Sequence, residues 1–202
     1  MSATTPGPSS DTGATPIRPT LRLSSDNFNR VSEFTCARRG EVETRWEQDV
    51  SAWIKAPRGT YGALALVENG DVEVWLYEDP TGRLIGFIAL GVEFQTAPGV
   101  VGAPEAVYNI AYFGIHTDFR GKPDGPREQR YAWRIFQGLI DEAERRGEHP
   151  LLTLYVDPAN PAYQGFYPHF GFVEMDRVTI GEREWIRMAR RLNPQNTEVN
   201  TK

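Results

Sequence analysis

Residues 112–143 decide the fold, and they read YFGIHTDFRGKPDGPREQRYAWRIFQGLIDEA. The stretch begins as an apolar strand, passes through a turn that holds two glycines and two prolines, and ends in apolar residues spaced three and four positions apart. That spacing predicts an amphipathic helix. A strand therefore leads directly into a helix N-terminus.

This junction is suited to bind phosphate, because the first turn of a helix has unpaired N–H groups and the positive end of the helix dipole. Gly121 and Gly125 allow the backbone to approach a ligand, and Pro126 suits the first helical position. Positive charge is added by Arg120, Lys122, Arg127 and Arg130. An ordinary strand-to-helix connection with solvated basic side chains explains the same residues, and the stretch alone does not decide between the two interpretations.

Composition bounds the rest of the 202-residue chain. Residues 1–15 and 193–202 are small and polar, which predicts flexible tails around a single domain at residues 16–192. The sequence has neither a run of about 18 apolar residues nor a basic-then-apolar leader, so we expect a cytoplasmic protein without a membrane partner. The net charge of −5 disfavours nucleic acid as a partner. A homodimer is left open.

Metal and thiol chemistry have little support in the sequence. The single cysteine, Cys36, excludes an intrachain disulfide and a cysteine-cluster metal site, and the three histidines are widely spaced, so no metal is expected. The apolar neighbours of Cys36 predict a packed thiol rather than a nucleophile.

The order of the predicted elements gives an α/β (α+β) fold with a mixed, mostly antiparallel sheet and helices on its faces. We predict strands at 20–23, 61–67, 72–77, 84–94, 106–115 and 151–156, a closing hairpin at 172–177 and 184–189, and helices at 41–55, after the glycine-rich turn, and at 160–166. Strands 106–115 and 151–156 are predicted to be parallel because a long helix joins them. Ligands bind where such strands diverge.

Three segments in this order, GIHTDFRGK, LIDEA and NPAYQGFYPHFGF, resemble the GCN5-related N-acetyltransferase (GNAT) superfamily. The resemblance covers residues 84–172 and implies a twisted sheet whose central parallel pair is splayed to receive acetyl-CoA as co-substrate. The family's Q/R-x-x-G-x-G/A motif, which holds the pyrophosphate, aligns with Arg127, Arg130 and Ala132. Arg130 replaces a glycine, so either the cradle shifts toward Gly121 and Gly125 or Arg130 itself pairs with a phosphate.

The resemblance also implies roles for other residues. Tyr167 matches the tyrosine that protonates the departing thiolate, although Pro168 is expected to keep it out of helical geometry. Cofactor contacts are implied for Asn160 and Tyr163, and for the strand residues Phe113, Gly114 and Ile115, near which an amide polarises the acetyl carbonyl. Glu93 is the preferred candidate for the base, with Tyr108 and His116 as alternatives.

The implied function is an acetyl-CoA-dependent N-acetyltransferase that acts by direct attack of a primary amine in a ternary complex. The acceptor, a small molecule or a peptide amine, is expected against residues 46–53 and the loop 95–104, where carboxylates such as Glu47 could receive an ammonium group. Two alternatives stay open: an aminoacyl-tRNA-acetylating toxin, indicated by Phe34-Thr35-Cys36, and a GNAT-fold module that binds CoA without catalysis.

Overall fold

The computed structural model describes residues 15–37, 40–57, 60–95 and 103–193. The predicted tails at 1–15 and 193–202 lie outside the described residues, apart from Thr15 and Asn193, and so does most of the loop 95–104. Among the described residues, no helix is both long enough and apolar enough to cross a bilayer.

Within the described residues, seven strands form one open sheet in the order β1-β2-β3-β4-β5-β7-β6. Neighbouring strands are antiparallel except β4 and β5, so the predicted mixed sheet with a central parallel pair is confirmed. The strands are β1 (Leu21–Arg22), β2 (Val72–Glu78), β3 (Leu84–Gln95), β4 (Glu105–Ile115), β5 (Leu151–Val156), β6 (Val173–Ile180) and β7 (Arg183–Arg191). The helices are α1 (Arg45–Lys55), α2 (Ala63–Asn69), α3 (Tyr131–Arg146) and α4 (Ala162–His169).

Side chains of alternating strand positions pack into two separate cores, one on each face of the sheet. On β2, Val74 and Leu76 join a cluster with Trp53 of α1, whereas Trp75 and Tyr77 join a cluster with α3 and the residues around α4. We call these the α1 face and the α3 face. Helices therefore cover both faces of the sheet, as predicted.

The prediction of a strand at residues 61–67 is wrong, because the segment forms helix α2 instead. Gly62, in extended conformation, precedes the helix, and Gly70 ends it with a left-handed φ of 80° that glycine adopts readily. Alanine and leucine, which fill most of the segment, are strong helix formers. The apolar residues that suggested a strand belong to this short helix, which buries Ala63 and Leu64.

Helix α3 begins later than predicted. Pro126 precedes a short 3₁₀ turn at Arg127–Gln129, and Arg130 is the residue before the first helical position. The prediction that Pro126 opens the helix is therefore wrong. Gly147 ends the helix in left-handed conformation.

Candidate active site

The parallel strands β4 and β5 separate after a short paired segment. Only three residue pairs are in register between them, and the last joins Ile110 to Leu154. Directly beyond, β4 has a bulge that leaves Ala111 without a register partner on β3. Because a bulge increases the local twist and redirects a strand, β4 and β5 diverge toward their carboxyl ends.

A cavity of about 1030 Å³ opens between the diverging strands. Trp46 and Val50 of α1 line it, and so do Trp133 of α3 and Phe166 of α4. Because these helices cover opposite faces of the sheet, the cavity passes through the sheet from one face to the other. The predicted site residues that line it are Glu93, Phe113, Gly114, Ile115, Arg120, Gly121, Lys122, Arg130, Ala132, Asn160 and Tyr167.

Positive charge and free amides meet on the α3 face of the cavity. The Nε of Arg130 is buried and has no hydrogen-bond partner among the described residues. The amides of Ala132 and Trp133 also make no hydrogen bond within the described ranges, whereas the amide of Tyr131 donates to the carbonyl of Lys122 at 2.9 Å. Donors left in this way at a helix N-terminus favour an anion. This part of the cavity fits a pyrophosphate.

Arg130 occupies its position without backbone strain. Its φ of −70° and ψ of 147° are extended, so the glycine of the family motif is not required here. Arg130 lines the cavity together with Lys122, while Gly125 lies outside. This geometry supports the interpretation in which Arg130 supplies a side chain to a phosphate.

Arg120, another residue predicted at the cofactor, turns toward α1 instead. Its Nη1 donates to the carboxylate of Glu47 and to the carbonyl of Cys36. Glu47 also accepts hydrogen bonds from the amide and hydroxyl of Thr44, at 2.8 and 2.7 Å, and so completes a capping box. Burial would raise the pKa of Glu47, but these hydrogen bonds from Arg120 and Thr44 outweigh it and hold the pKa below its usual value. Glu47, expected to receive an ammonium group, is therefore already paired.

Tyr167 lies inside α4 and lines the α3 face of the cavity. The expectation that Pro168 excludes it from a helix is wrong, because Pro168 stands in the last turn of α4, where only one helical bond is lost. Burial raises the pKa of Tyr167 to about 12. Its hydroxyl makes no hydrogen bond within the described ranges and stays protonated at neutral pH, so it is available as a donor.

Glu93 points to the α1 face, where neutral groups hold it. Its Oε1 accepts from the side-chain amide of Asn109 at 2.5 Å, and its Oε2 accepts from the amide of Gln95 at 2.9 Å. No described cation forms an ion pair with it. The carboxylate is half-buried, oriented and free of a competing positive charge, which suits it to receive a proton.

Behind Glu93 lies a polar network that the sequence interpretation missed. Asn109 and Thr153 are buried at 6% and 1% exposure, and the Thr153 hydroxyl donates to the carbonyl of Tyr108 at 3.0 Å. Arg187 donates to Gln95 at 3.2 Å. Asn109 and Thr153 stand as polar residues inside apolar strands, and this break in the pattern was the available signal.

Aromatic side chains form much of the α1-face lining. Tyr61, Tyr112 and Trp185 line it together with Asp49 of α1. Tyr112 is stacked on Trp53 at 4.2 Å between ring centroids. Trp185 was not predicted here, because it comes from the tip of the β6–β7 hairpin, far along the chain.

Three predicted cofactor residues, Gly125, Arg127 and Tyr163, do not line the cavity. The hydroxyl of Tyr163 donates to Glu174 at 2.5 Å. The two alternative bases also lie elsewhere: Tyr108 donates to Glu148 at 2.7 Å, and the Nδ1 of His116 accepts from the Asp118 amide at 3.2 Å. Burial lowers the pKa of His116.

Two of the predicted site residues that line the cavity, Gly114 and Asn160, also have structural roles. A Cβ on Gly114 would meet the side chains of Phe87 and Val50 at 2.9 Å each, so packing against the α1 face requires a glycine there. The Oδ1 of Asn160 accepts from the amide of Ala162 at 3.0 Å, which satisfies a donor at the start of α4.

Cys36 is a packed thiol, as predicted. It is 6% exposed, and its Sγ donates to the carbonyl of Glu47 at 3.3 Å. Burial raises the pKa of the thiol. An activated nucleophilic cysteine is instead partly exposed and has a lowered pKa.

An open mixed sheet whose central strands diverge around a cavity with basic side chains and free amides on one wall is the architecture that the resemblance to acyl-CoA-dependent acetyltransferases implied. The model of the Acetyltransferase (GNAT) family matches residues 32–172, more than half of the chain. The chain belongs to this family, and it is an acetyltransferase. A comparison with curated proteins found no match.

Solved structures share the fold at low sequence identity. A bacterial toxin is 17% identical, with a TM-score of 0.61 over 88% of this chain and 92% of that one. The ribosomal-protein-S18-alanine N-acetyltransferase from Escherichia coli is 15% identical, with a TM-score of 0.52 over 89% and 96%. NAA60 from Arabidopsis thaliana, solved with a bisubstrate analogue, is 15% identical, with a TM-score of 0.52 over 89% and 97%. At this identity the likeness is one of fold.

Proposed function

We propose that this acetyltransferase transfers the acetyl group of acetyl-CoA to a primary amine by direct attack in a ternary complex. The observation that carries the proposal is the continuous cavity through the sheet, with unpaired cationic and amide donors on one face and Glu93 on the other. Such a passage lets two substrates meet from opposite faces. The buried, high-pKa Cys36 argues against a covalent enzyme intermediate.

On the α3 face, the residues present fit acetyl-CoA. Arg130, Lys122 and the amides of Ala132 and Trp133 would hold the pyrophosphate. Beyond Ile110, the edge of β4 that faces β5 has no partner strand in the part of the chain that the structure describes. Its backbone groups can therefore bond the amides of the pantetheine arm, and an amide between Phe113 and Ile115 can polarise the acetyl carbonyl.

Two side chains are suited to move protons. Tyr167 stays protonated at neutral pH and would donate to the departing sulfur. Glu93, held by Asn109 and Gln95, would accept the proton that the amine must lose, directly or through one water. Aromatic walls and the carboxylate of Glu93, which forms no ion pair with a described cation, favour an acceptor that arrives as an ammonium ion.

The test has two parts. Isothermal titration should detect binding of acetyl-CoA and CoA, and a panel of primary amines should release CoA thiol in the presence of acetyl-CoA. Turnover of an amine supports the proposal. Failure to bind either cofactor would remove its main support.

Two further outcomes would assign a different activity. Growth arrest on expression, together with acetylation of aminoacyl-tRNA, would support the toxin interpretation, which the acidic net charge disfavours. CoA binding without turnover of any acceptor would support a binding module.

A further inference from the structure

The tip of the β6–β7 hairpin reaches across to α1. A two-residue turn at Gly181 and Glu182 joins the strands, with Ile180 opposite Arg183 in register. Arg183 then places its Nη1 2.6 Å from the Oδ2 of Asp49, a residue 134 positions away in sequence. The hairpin and the helix therefore form a bridge over the α1 face.

This bridge lies over the cavity. Ile180 and Trp185 of the hairpin line the cavity, and Asp49 lines it from α1. The guanidinium of Arg183 also lies 5.9 Å from the ring centroid of Trp185. Tyr112 lines the cavity beside this bridge, and its pKa is raised by burial and by the charge of Asp49 and lowered by that of Arg183.

We propose that the Arg183–Asp49 ion pair closes the acceptor opening on the α1 face and that the two residues determine acceptor selectivity by cross-section. Amines on an unbranched stem pass beneath the closed pair, whereas amines on a ring or a branched carbon require it to open. The selectivity part of this inference rests on the proposed acetyl transfer to an amine. The closure itself does not.

The pair is suited to open and close. Its side chains are 26% and 38% exposed, and ion pairs of this exposure contribute little free energy, so they break and re-form readily. Removing one partner should therefore shift the population of the open form by about two- to fivefold. If closely packed side chains closed the opening instead, removing one charged partner would not change the population of the open form.

Cys36 provides a readout that needs no substrate. It is the single cysteine of the chain, it is buried, and it lines the same cavity. Its alkylation should be timed with small N-ethylmaleimide and with bulky fluorescein maleimide, in the presence of a thiol-free CoA analogue to block the α3 face. The ratio of the two rates cancels any change in the reactivity of the thiol itself.

Arg183→Ala and Asp49→Asn should each raise the ratio of bulky to small labelling about two- to fivefold over the wild type. The double charge reversal Asp49→Arg/Arg183→Asp should return it toward the wild-type value. The matched control is Arg177→Ala, which breaks an ion pair with Glu184 on the same hairpin, outside the cavity. Equal ratios for Arg183→Ala and Arg177→Ala would overturn the closure.

The same proteins should be assayed with acetyl-CoA and two amines, cadaverine and cyclohexylmethylamine. Arg183→Ala should raise the relative turnover of the ring-bearing amine, and an unchanged preference would refute the role in selectivity. If neither amine is acetylated by any of the proteins while CoA still binds, selectivity by cross-section fails for these acceptors. If CoA does not bind, the proposed function fails, and labelling without the analogue then tests the closure through the difference between Arg183→Ala and Arg177→Ala, because entry from the α3 face is common to both variants.

Discussion

At the scale of single residues, Tyr167 tests the proposed general-acid step most directly. Replacement by Phe removes only the hydroxyl, which has no described hydrogen-bond partner, so the fold should be unaffected. We expect turnover to fall about 100-fold, the lower end of what a general acid contributes. Turnover with the best amine of the panel and CoA affinity by titration would be measured together.

An unchanged turnover in Tyr167→Phe, with CoA affinity intact, would show that this tyrosine is not the acid. A parallel loss of turnover and CoA affinity would instead assign it to cofactor binding. The melting temperature of the variant serves as the control for folding.

Two of the predicted cofactor residues, Arg130 and Arg127, differ in their position relative to the cavity. Arg130 lines the cavity with a buried, unpaired Nε, whereas Arg127 lies outside it. We expect Arg130→Ala to weaken CoA binding by at least about tenfold, the size of one hydrogen bond to a charged group. Arg127→Ala should weaken it by less than about twofold, since exposed charges at a distance are screened. Equal effects of the two variants in titrations at the same ionic strength would contradict the assignment.

How far single residues could be predicted depends on how local their partners are. That Arg130, Ala132 and Tyr167 line the cavity could be predicted because each belongs to a short motif, the first two in the turn before α3 and the third in α4. The partner of Arg120, Glu47, is 73 positions away, and nothing near Arg120 in the sequence reveals that it is paired. A basic residue in a phosphate-suited turn therefore stays ambiguous until its distant neighbours are known.

At the scale of elements, the Arg120–Glu47 pair joins the cofactor turn to α1. Glu47→Gln removes the charge, weakens the capping box and leaves Arg120 uncompensated, so the free energy of unfolding should fall by about 2 kcal/mol. Glu184→Gln, in an exposed pair, should change it by less than about 0.5 kcal/mol. Urea unfolding of both variants provides the comparison.

The pH dependence of this effect has a definite sign. The folded-state pKa of Glu47 lies below its usual value of 4.5, so its stabilisation is present above that pH and is lost as the pH falls through the folded-state pKa. The stability difference between wild type and Glu47→Gln should be constant near neutrality and shrink in acid. A difference that grows on acidification would contradict the pairing.

Two helical glycines make a matched test of packing around α3. A Cβ on Gly138 would meet the carbonyl oxygen of Ile17 at 2.5 Å, whereas a Cβ on Gly165 of α4 would meet nothing within 4 Å. Alanine is favoured over glycine in helices by about 1 kcal/mol, so Gly165→Ala should stabilise the protein. Gly138→Ala should destabilise it despite the same propensity, because the segment around Ile17, whose amide bonds Arg134 at 3.1 Å, must move. Melting temperatures that rise in both variants would disprove the close contact.

Elements whose apolar residues recur at a clear helical or strand spacing could be predicted from the sequence, whereas short apolar elements could not. Strands β2 to β5 and the C-terminal end of helix α3 were predicted near their observed bounds because the spacing of the apolar residues and the turn residues agree. Residues 63–67 of α2 are all apolar, so their spacing did not distinguish a helix from a strand, and tertiary packing on the α1 face decided the conformation. The bulge at Ala111, on which the cavity depends, has no local signature at all.

At the scale of the whole molecule, the sheet consists of two antiparallel parts that meet only at β4 and β5. Three residue pairs join those strands, and their carboxyl-terminal parts, residues 111–115 of β4 and 155–156 of β5, line the cavity. The cores on the two faces are separate clusters. We call the junction of β4 and β5 the seam of the sheet. A ligand that fills the cavity would add contacts between the two parts along this seam.

Acetyl-CoA should therefore stabilise this protein mainly at the seam. With CoA at 100 times its dissociation constant, the free energy of unfolding should rise by about 2.7 kcal/mol. Hydrogen exchange should slow most at Ala111–Ile115 of β4 and at the amides of Ala132 and Trp133, which have no described bond partner and stay exposed to exchange without the ligand. Strands β1 and β6, at the two edges of the sheet, should change least. Protection that appeared first at β6 and left these amides unchanged would mean that CoA binds elsewhere, because a pyrophosphate at the N-terminus of α3 must take up those donors.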